Sequence, residues 1–425
     1  MGDTNGYAAP FAADPELARN PQPTYEALLD GAPLFRIEGV GVVATSRAAV
    51  DEILRDADLF SSNTSATDLK TRRPLIPLQI DPPAHRTYRK LLDPLFAPQR
   101  IGLLAEPVTG LVNDLIDLFV DETEIDFAAR FSVPFPSQVF LTMLGLPIAE
   151  LPVFLKMRDG IIRPQQVVGQ PLGHPDTDAY QQATADSIYA YFDQVLAVRS
   201  GSGGSDVISQ FLEADVDGDR LGHDDILDIC FNLLIAGLDT VSASLDCFFG
   251  YLAQHPEKRR ELVARPEVIP AAVEELLRWE TPVMAVARIA TTDTQVSGCP
   301  IRAGEQVLAL IGAANLDRRD LENATEVRWD RVTNRHLAFG GGIHRCLGSH
   351  LARLELRVAV EQWHRRIPDY SLPAGAELSF SPGIRAAESF PMVLGRADGH
   401  DPVGHRPPAR DRAIGGLHGE GAGAR

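Results

Sequence analysis

The most extended apolar pattern of the chain lies in residues 223–254, where no proline interrupts a helix-like sequence. About 30 residues at 1.5 Å each predict a helix of roughly 45 Å, long enough to cross a whole domain. Gly237, Asp239 and Thr240 break the apolar run. A buried glycine costs about 1 kcal/mol relative to alanine in a helix, and unpaired buried polar groups cost roughly a few kcal/mol. The pattern therefore predicts either a helix with a polar stripe or a local distortion that opens a groove.

The other apolar and polar patterns predict a helix-rich chain with few strands. Alternating segments bounded by glycine or proline predict strands, including a hairpin that turns near Gly39 and Gly41. The predicted strand segments are Pro33–Ser46, Val283–Leu310 and Tyr370–Leu394. The predicted helical segments are Ala48–Phe60, His85–Val198 (broken by prolines), Pro270–Trp279 and Gly348–Arg366. Residues 61–80 show no clear periodicity and predict a long loop, which is usually functional in a compact domain.

Composition narrows the class of protein. The chain has 40 Lys+Arg and 58 Asp+Glu, which gives a net charge of −18. This negative charge argues against a surface that binds nucleic acids or anionic membranes in general. Its four cysteines form no C-x-x-C pair, so zinc and disulfide frameworks are not expected. The N-terminal residues 1–23 have no apolar signal core, and no stretch reaches 18 uninterrupted apolar residues. We expect a soluble, cytoplasmic protein.

Cys346 is the residue with the most distinctive surroundings. It lies in the segment Phe339-Gly340-Gly341-Gly342-Ile343-His344-Arg345-Cys346-Leu347-Gly348. The glycines let the backbone wrap closely around one sulfur, and a helical sequence begins directly afterwards. Peptide N–H groups and the helix dipole at that point favour a thiolate. Such a thiolate is a nucleophile or an axial metal ligand; the alternative is a small buried cysteine in a glycine turn.

The spacing Phe-Gly-x-Gly-x-His-x-Cys-x-Gly resembles the haem-binding loop of the cytochrome P450 family. In that family the cysteine thiolate binds haem iron and favours O–O cleavage. The resemblance covers about residues 26–394 and is strongest to the soluble bacterial members, including the camphor-hydroxylating type. It implies the mainly α haem-thiolate fold with a minor β portion, haem b as cofactor, and Cys346 as the iron ligand. Phe339 and Gly340 are then cofactor-binding residues.

The interrupted helix is similar to the family's Ala/Gly-Gly-x-Asp/Glu-Thr signature. The resemblance implies that Thr240 organises oxygen and water, and that Asp239 is its acidic partner in a proton relay, a general acid–base role. Together they favour O2 activation over a peroxide-only variant. A second signature, Glu-x-x-Arg, matches Glu275 and Arg278, which would otherwise be an ordinary surface pair. It implies a structural pair that locks onto a downstream arginine, for which Arg331 is the candidate.

Haem carries two propionates, so the protein must supply cations or donors for them. His85 and Arg89 lie four residues apart on one helix face, and they match the family's His-x-x-x-Arg helix, whose side chains hold a propionate. Arg288 and His344 match two further propionate positions. Without the resemblance, these residues would be interpreted as a solvated basic helix and a strand-edge cation.

The predicted reaction is hydroxylation of a small hydrophobic substrate (terpenoid, steroid or fatty acid) by a monooxygenase. A ferredoxin, [2Fe–2S] or similar, and its reductase would supply the electrons. The proposed basic docking patch is Arg86, Lys90, Arg345 and Arg353, and the proposed pocket walls are Leu233, Leu234, Ala236, Val283–Val286 and Leu75–Leu78. Two alternatives stay open, a haem-thiolate sensor that binds a ligand without turnover and a peroxygenase.

The loop before Asp81 departs from the camphor-type enzyme. It carries no aromatic residue, and Arg72 and Arg73 occupy the region, so camphor is not the expected substrate. Either arginine is a candidate for binding a substrate carboxylate, against the alternative of a solvated loop arginine. We expect an N-terminal arm over residues 1–25, one catalytic domain over residues 26–397, a disordered tail over residues 398–425, and a monomer.

Overall fold

The computed structural model describes residues 15–64, 69–201, 203–216 and 218–395 of the chain. Helices dominate these residues and a small amount of β-structure accompanies them, so the predicted fold class is confirmed. The predicted tail, residues 398–425, and the first residues of the predicted arm lie outside the described residues.

The helices follow the order of the apolar segments. In chain order they are α1 Pro15–Arg19, α2 Pro21–Leu29, α3 Arg47–Arg55, α4 Ala84–Leu92, α5 Pro98–Gly102, α6 Ala105–Asp117, α7 Pro134–Met143, α8 Leu151–Ile162, α9 Pro164–Val168, α10 Pro175–Arg199, α11 Val207–Glu213, α12 His223–Gly237, α13 Thr240–Gln254, α14 Pro256–Ala264, α15 Ile269–Glu280, α16 Ile311–Ala314 and α17 Ser349–Arg366. Helix α3 ends at Arg55, not at the predicted Phe60, which instead begins a short strand.

The strands form one five-stranded sheet, one three-stranded sheet and small hairpins. They are β1 Leu34–Ile37, β2 Gly41–Ala44, β3 Phe60–Ser61, β4 Glu124–Asp126, β5 Asp215–Val216, β6 Asp219–Arg220, β7 Val286–Ala290, β8 Thr294–Val296, β9 Cys299–Ile301, β10 Gln306–Ala309, β11 Tyr370–Ser371, β12 Ser379–Phe380, β13 Ala387–Ser389 and β14 Pro391–Leu394. The larger sheet has the order β1-β2-β10-β7-β3, and the three-stranded sheet has the order β11-β14-β4. The predicted hairpin is β1–β2, and it turns through Gly39 and Gly41 at positive φ.

The long apolar stretch forms two consecutive helices, α12 and α13, separated at Leu238 and Asp239. The stretch His223–Gln254 is long and apolar enough to cross a membrane, yet 72% of its most apolar window is buried inside the protein. The two helices therefore belong to the protein core. The break between them supports the prediction of a local distortion over that of a plain polar stripe. A Cβ at Gly237 would lie 2.7 Å from the Phe140 ring, so this glycine lets α12 approach α7 closely.

The described part of the predicted N-terminal arm is not separate from the domain. Tyr25 is fully buried, and the Arg385 guanidinium donates to the carbonyl of Ala18 at 2.7 Å. A Cβ at Gly312 would lie 2.7 Å from the Tyr25 ring and hydroxyl. Helices α1 and α2, which include part of the predicted arm, thus pack onto the core of the predicted catalytic domain.

Candidate functional site

The loop around Cys346 is shaped by backbone bonds and by glycine. The Cys346 N–H donates to the Phe339 carbonyl at 2.9 Å, which closes the loop. Gly340 and Gly342 adopt φ of +69° and +64°, a region that other residues rarely occupy. A Cβ at Gly342 would lie 2.0 Å from the carbonyl oxygen of Leu54. The loop can therefore pack against α3 only with glycine at this position.

The Cys346 thiol lies in a setting that suits a metal ligand better than a nucleophile. The residue is exposed, yet enough protein surrounds the sulfur that burial raises the pKa of Cys346, and the Gly348 N–H and the cations of Arg89, Arg345 and Arg353 offset this only in part. The predicted contribution of the backbone is present, because the Gly348 N–H lowers the pKa of Cys346, but in the protein alone the burial of the sulfur outweighs it. A nucleophilic cysteine needs a lowered pKa, whereas a metal ion deprotonates a coordinating thiol outright.

Three buried or half-buried basic side chains lie near this loop, and we call His85, Arg288 and His344 the histidine cluster. The rings of His85 and His344 lie 4.3 Å apart, and in the described part of the chain neither buried Nε2 atom has a hydrogen-bond partner. The Arg288 guanidinium is buried and donates to the adjacent Ala287 carbonyl at 2.7 Å. Among residues 15–64, 69–201, 203–216 and 218–395 no carboxylate forms a direct ion pair with Arg288, although Asp81 acts on it electrostatically.

The electrostatics of the histidine cluster call for an anion. The pKa of His344 is lowered to about 3, mainly by burial and in smaller part by the positive neighbours His85, Arg288 and Arg89. Burial also lowers the pKa of Arg288 to about 10. Buried donors without partners are costly in a native protein. The two carboxylates of haem would satisfy these groups, so the residues present fit the cofactor that the resemblance implies.

Arg89 is near the histidine cluster but is already engaged. Its Nη1 donates to the Arg345 carbonyl at 2.9 Å, and its Nε lies 2.6 Å from Asp93 Oδ1. The structure thus places Arg89 as a brace between α4 and the Cys346 loop. It does not leave the whole guanidinium available for a propionate.

On the interrupted helix, the acid and the alcohol face different partners. Thr240 Oγ1 donates to the Ala236 carbonyl at 2.8 Å, across the break. Asp239 is buried, and both of its oxygens accept from Arg163 Nη2, at 2.7 and 2.8 Å. A second cation, Arg158 Nε, lies 4.0 Å from Asp239 Oδ1. Arg163 therefore occupies both oxygens of the Asp239 carboxylate, which limits proton exchange between Asp239 and Thr240.

The predicted Glu-x-x-Arg pair belongs to a larger set, which we call the glutamate cluster: Glu275, Arg278, Arg331 and Asn334. Glu275 is fully buried, and its oxygens accept from Arg278 Nη2 at 2.7 Å, from Arg331 Nε at 2.9 Å and from Asn334 Nδ2 at 3.0 Å. Burial would raise the pKa of Glu275, but the bonds from Arg278 and Arg331 outweigh it and lower the pKa. The structure brings the three predicted residues into contact.

The loop arginines are not free to hold a substrate carboxylate. Arg72 Nη2 lies 3.2 Å from Asp186 Oδ1, and the guanidinium stacks over the Tyr189 ring at 4.6 Å. Arg73 Nε donates to Asp228 Oδ2 at 2.7 Å. Both guanidiniums are paired with acidic side chains of the protein, which argues against the carboxylate-binding hypothesis for this loop.

Two further predictions change in the structure. Arg353 donates from Nε and Nη2 to Glu274, at 2.7 and 2.8 Å, and stacks over the Phe339 ring at 4.4 Å. It is thus an internal support of the Cys346 loop and not a free surface cation.

Leu234 is fully buried in the helical core, whereas Leu233 is half-buried and Ala236 is exposed, so Leu234 is not a pocket wall.

Arg163 and Asn334 are site residues that the sequence argument missed. Arg163 lies 76 residues before Asp239, and no spacing connects them. Asn334 lies 59 residues after Glu275. Only the position of Asn334 between Arg331 and the cysteine loop was a usable signal, because that segment was expected to be held by Glu275.

Comparisons with known proteins agree with this geometry. The sequence profile of the Cytochrome P450 family matches residues 174–365. The steroid C26-monooxygenase of Mycolicibacterium smegmatis is 33% identical over 369 residues, which cover 85% of this chain and 90% of that protein. The pentalenic acid synthase of Streptomyces avermitilis is 31% identical over 391 residues, covering 88% of this chain and 94% of that protein. The crystal structure of CYP109E1 from Bacillus megaterium in complex with testosterone superposes with a TM-score of 0.80 at 26% identity, over 89% of this chain and 98% of that one.

Proposed function

The chain belongs to the cytochrome P450 family, and we propose that it hydroxylates a compact, uncharged hydrophobic molecule with electrons from a separate ferredoxin. It is a monooxygenase whose cofactor is haem b. Haem held by a thiolate supplies O2 activation, so that one oxygen atom enters a C–H bond. The observation that carries the proposal is the convergence of the unpaired donors of the histidine cluster beside the Cys346 loop.

In this proposal Cys346 ligates the iron and the histidine cluster holds the propionates. Neutral imidazoles donate through one ring nitrogen, and the free Nε2 atoms of His85 and His344 are available for that task. Arg288 adds a buried cation, whose bond to a carboxylate is stronger than a neutral one. Arg89 contributes by bracing α4 against the Arg345 carbonyl.

We assign the handling of protons to Thr240 and Asp239. Thr240 uses its hydroxyl hydrogen on the Ala236 carbonyl, so its oxygen lone pairs are left to accept from water. Asp239 can exchange a proton only when Arg163 gives up at least one of its two bonds to the carboxylate. Arg163 is therefore proposed as the residue that controls when the acid is available.

The substrate class follows from the relatives and from the loop arginines. One relative is named for a steroid and one solved structure contains testosterone, which supports a compact hydrophobe of the steroid or terpenoid kind. Arg72 and Arg73 are paired with Asp186 and Asp228, so neither offers an anchor for a fatty-acid carboxylate. Of the substrate classes that the sequence suggested, the fatty acid is therefore the least favoured.

The donor surface is proposed on the exposed side of α4. A cleft of about 600 Å³ lies between α4 and the Cys346 loop, lined by His85, Arg86, Arg89, Lys90, Asp93, Pro94, Ala97 and Ile343. Arg86 and Lys90 are exposed, while Arg353 is withdrawn by Glu274. A local basic surface suits an acidic ferredoxin even though the whole chain carries −18. A soluble donor also favours the cytoplasm as the place of function.

A spectral screen tests the substrate class. Purified haem-loaded protein is titrated with steroids, terpenes and fatty acids, and the spin-state change of the haem band is followed. We expect saturable changes with steroids or terpenes and weaker changes with fatty acids of similar size. A response confined to fatty acids would contradict the proposed class.

A turnover assay tests the electron route. NADPH consumption with a ferredoxin and its reductase should be coupled to an oxygenated product. The same substrate with hydrogen peroxide alone should give little product. Product formed only with peroxide would replace the proposal by a peroxygenase.

A further inference from the structure

Thr281 has an unusual backbone conformation at the end of α15. Its φ of +39° and ψ of +71° lie in the left-handed region, where a β-branched residue is strained. The residue is fully buried and comes directly before Pro282. Strain of this kind persists where the surroundings enforce it, and it often marks a functional constraint.

The hydroxyl of Thr281 is part of a polar chain whose directions are fixed. The N–H of Leu337 can only donate, so the 2.6 Å contact identifies its partner as Asn315 Oδ1. The Asn315 Nδ2 group then donates to Thr281 Oγ1 at 2.8 Å. The hydroxyl of Thr281 donates to the Arg278 carbonyl at 2.8 Å, with the Leu277 carbonyl as a longer second acceptor at 3.3 Å. Asn315 is almost fully buried, so water cannot easily replace either bond.

One end of this chain is the loop of the iron ligand. The Leu337 carbonyl accepts from the Gly340 N–H at 2.7 Å, and the Phe339 carbonyl accepts from the Cys346 N–H at 2.9 Å. The position of Leu337 thus sets the start of the turn that holds the thiol.

The other end is the segment that was predicted as a pocket wall. Thr281 leads into Val283–Val286, and Val283 forms a β-bridge with Ile384. The Pro282 carbonyl accepts from the Arg385 N–H at 3.0 Å. Because Thr281 lies just before this segment in the chain, a shift of the segment would displace Thr281.

We propose that Asn315 and Thr281 are positioning residues that couple the pocket wall Val283–Val286 to the Cys346 loop, so that a bound substrate steadies the thiolate ligand through them. Each end of the Asn315 amide holds one of the two segments, and Thr281 orients the amide through its hydroxyl. This inference rests on the proposed location of the substrate pocket.

Hydrogen exchange of the haem-loaded protein tests the coupling without turnover. Thr281→Val keeps the β-branched shape and the backbone conformation but removes the hydroxyl. We expect the amides of residues 336–347 to exchange about tenfold faster in this variant, because Asn315 loses the bond that orients it. Thr281→Ser keeps the hydroxyl and should stay within about twofold of the wild type.

A second hydroxyl deletion guards against a folding defect. If Thr281→Val does not accumulate as haem-loaded protein, Thr281→Ala provides the same deletion with less bulk. If these deletions accelerate exchange only at residues 277–286 and leave residues 336–347 at the wild-type rate, the coupling does not exist and the inference is overturned.

A ligand that shifts the spin state adds the substrate side of the test. In the wild type this ligand should slow exchange at residues 336–347, and in Thr281→Val it should not. Equal slowing in both proteins would overturn the inference. If no hydrophobic compound shifts the spin state, the proposed substrate class fails. The ligand-free comparison still decides whether Thr281 and Asn315 couple the two segments.

Discussion

The glutamate cluster and the histidine cluster both bury charged or polar side chains, but only the glutamate cluster pairs its charges within the described part of the protein, although Asn334 Oδ1 has no hydrogen-bond partner there. Glu275 accepts from Arg278, Arg331 and Asn334, and it also accepts from the Arg328 N–H at 2.9 Å. In the histidine cluster, within the residues that the structure describes, two ring nitrogens have no partner and the cation has no carboxylate. The protein itself pairs the charges of the first set, whereas the buried donors of the second set still need an anion to bind.

Whether buried polar groups find partners within the protein distinguishes structural groups from ligand-binding groups, whatever their residue types. Breaking a complete buried cluster leaves charges without partners and costs several kcal/mol. Removing a member of an incomplete cluster relieves an existing cost in the ligand-free protein and weakens only the ligand-bound form. The two clusters should therefore respond to mutation with opposite dependence on haem.

Glu275→Gln should have the largest effect. Neutralising the carboxylate leaves Arg278 and Arg331 buried without a counter-charge, which should cost about 3–5 kcal/mol in the free energy of unfolding. Urea unfolding of the haem-free protein measures this loss, and the yield of haem-loaded protein should fall with it.

Glu274→Gln is the matched control, one residue earlier on α15. Burial would raise the pKa of Glu274, but the bonds from His336 and Arg353 lower it to about 2. Because the carboxylate is partly exposed, solvent screens these interactions and its loss should cost only about 1 kcal/mol. Equal losses in the two variants would mean that burial and completeness do not distinguish the clusters.

Asp246 should behave as an intermediate case, because it has two donors but no cation. Ser132 Oγ and the Ala387 N–H donate to it, and burial raises the pKa of Asp246 to about 7. From about pH 4 to pH 7 the unfolded chain loses this proton while the folded protein keeps it, so wild-type stability falls as pH rises. Asp246→Asn removes this loss and should gain roughly 2–4 kcal/mol relative to the wild type across that range.

Unfolding in urea at pH 5 and pH 7.5 measures the difference. Ser132→Ala should steepen the wild-type trend, because it removes a donor that favours the ionised carboxylate. A stability difference between Asp246→Asn and the wild type that does not change with pH would show that the carboxylate is ionised throughout.

Arg288→Leu tests the incomplete cluster directly. In the haem-free protein the change should leave stability unchanged or slightly raised, because a buried cation without a partner disappears. In the loaded protein haem should leave about 10–100-fold faster, corresponding to roughly 1.5–3 kcal/mol for a bond to a charged group. Transfer of haem to an apo-globin acceptor measures the rate.

Arg259→Leu is the contrasting control. Arg259 is buried, but it pairs with Asp369 and donates to the Leu252 carbonyl at 3.1 Å. Its loss should destabilise the haem-free and the haem-loaded protein alike and leave haem transfer unchanged. If Arg288→Leu gives the same pattern, Arg288 is a structural residue.

The sequence predicted best what is local or carried by a motif. The glycine loop, the β1–β2 hairpin and the break near Asp239 are all local, because each depends on residues within a few positions of one another. The contact between Arg331 and Glu275 was predicted across 56 residues only because the resemblance supplied it.

What the sequence could not predict depends on burial and on distant partners. Arg163, Arg72 and Arg73 found acidic partners far along the chain, and no spacing indicates which carboxylate an arginine will meet. The backbone donor that lowers the pKa of Cys346 could be expected from the sequence, but the desolvation that raises this pKa could not.

The smallest expected effect concerns two surface cations, Arg86 and Lys90, that have no counter-charge in the described part of the chain. Both are exposed on α4, and neither forms an ion pair within the described ranges. Reversing both charges should slow reduction by a ferredoxin about tenfold at low salt and less at high salt, because steering by exposed charges is screened.

The double change Lys156→Glu and Arg302→Glu is the control, since it alters the net charge equally at exposed positions on other elements. Stopped-flow reduction with the same donor compares the two double variants. If reduction slows only in the α4 variant, and this difference in rate shrinks with salt, the cleft beside Ile343 is the docking surface. Its cations are then paired by a partner protein, as the histidine cluster is paired by haem. If both variants slow alike, the overall charge of −18 governs the encounter and the α4 surface has no special role.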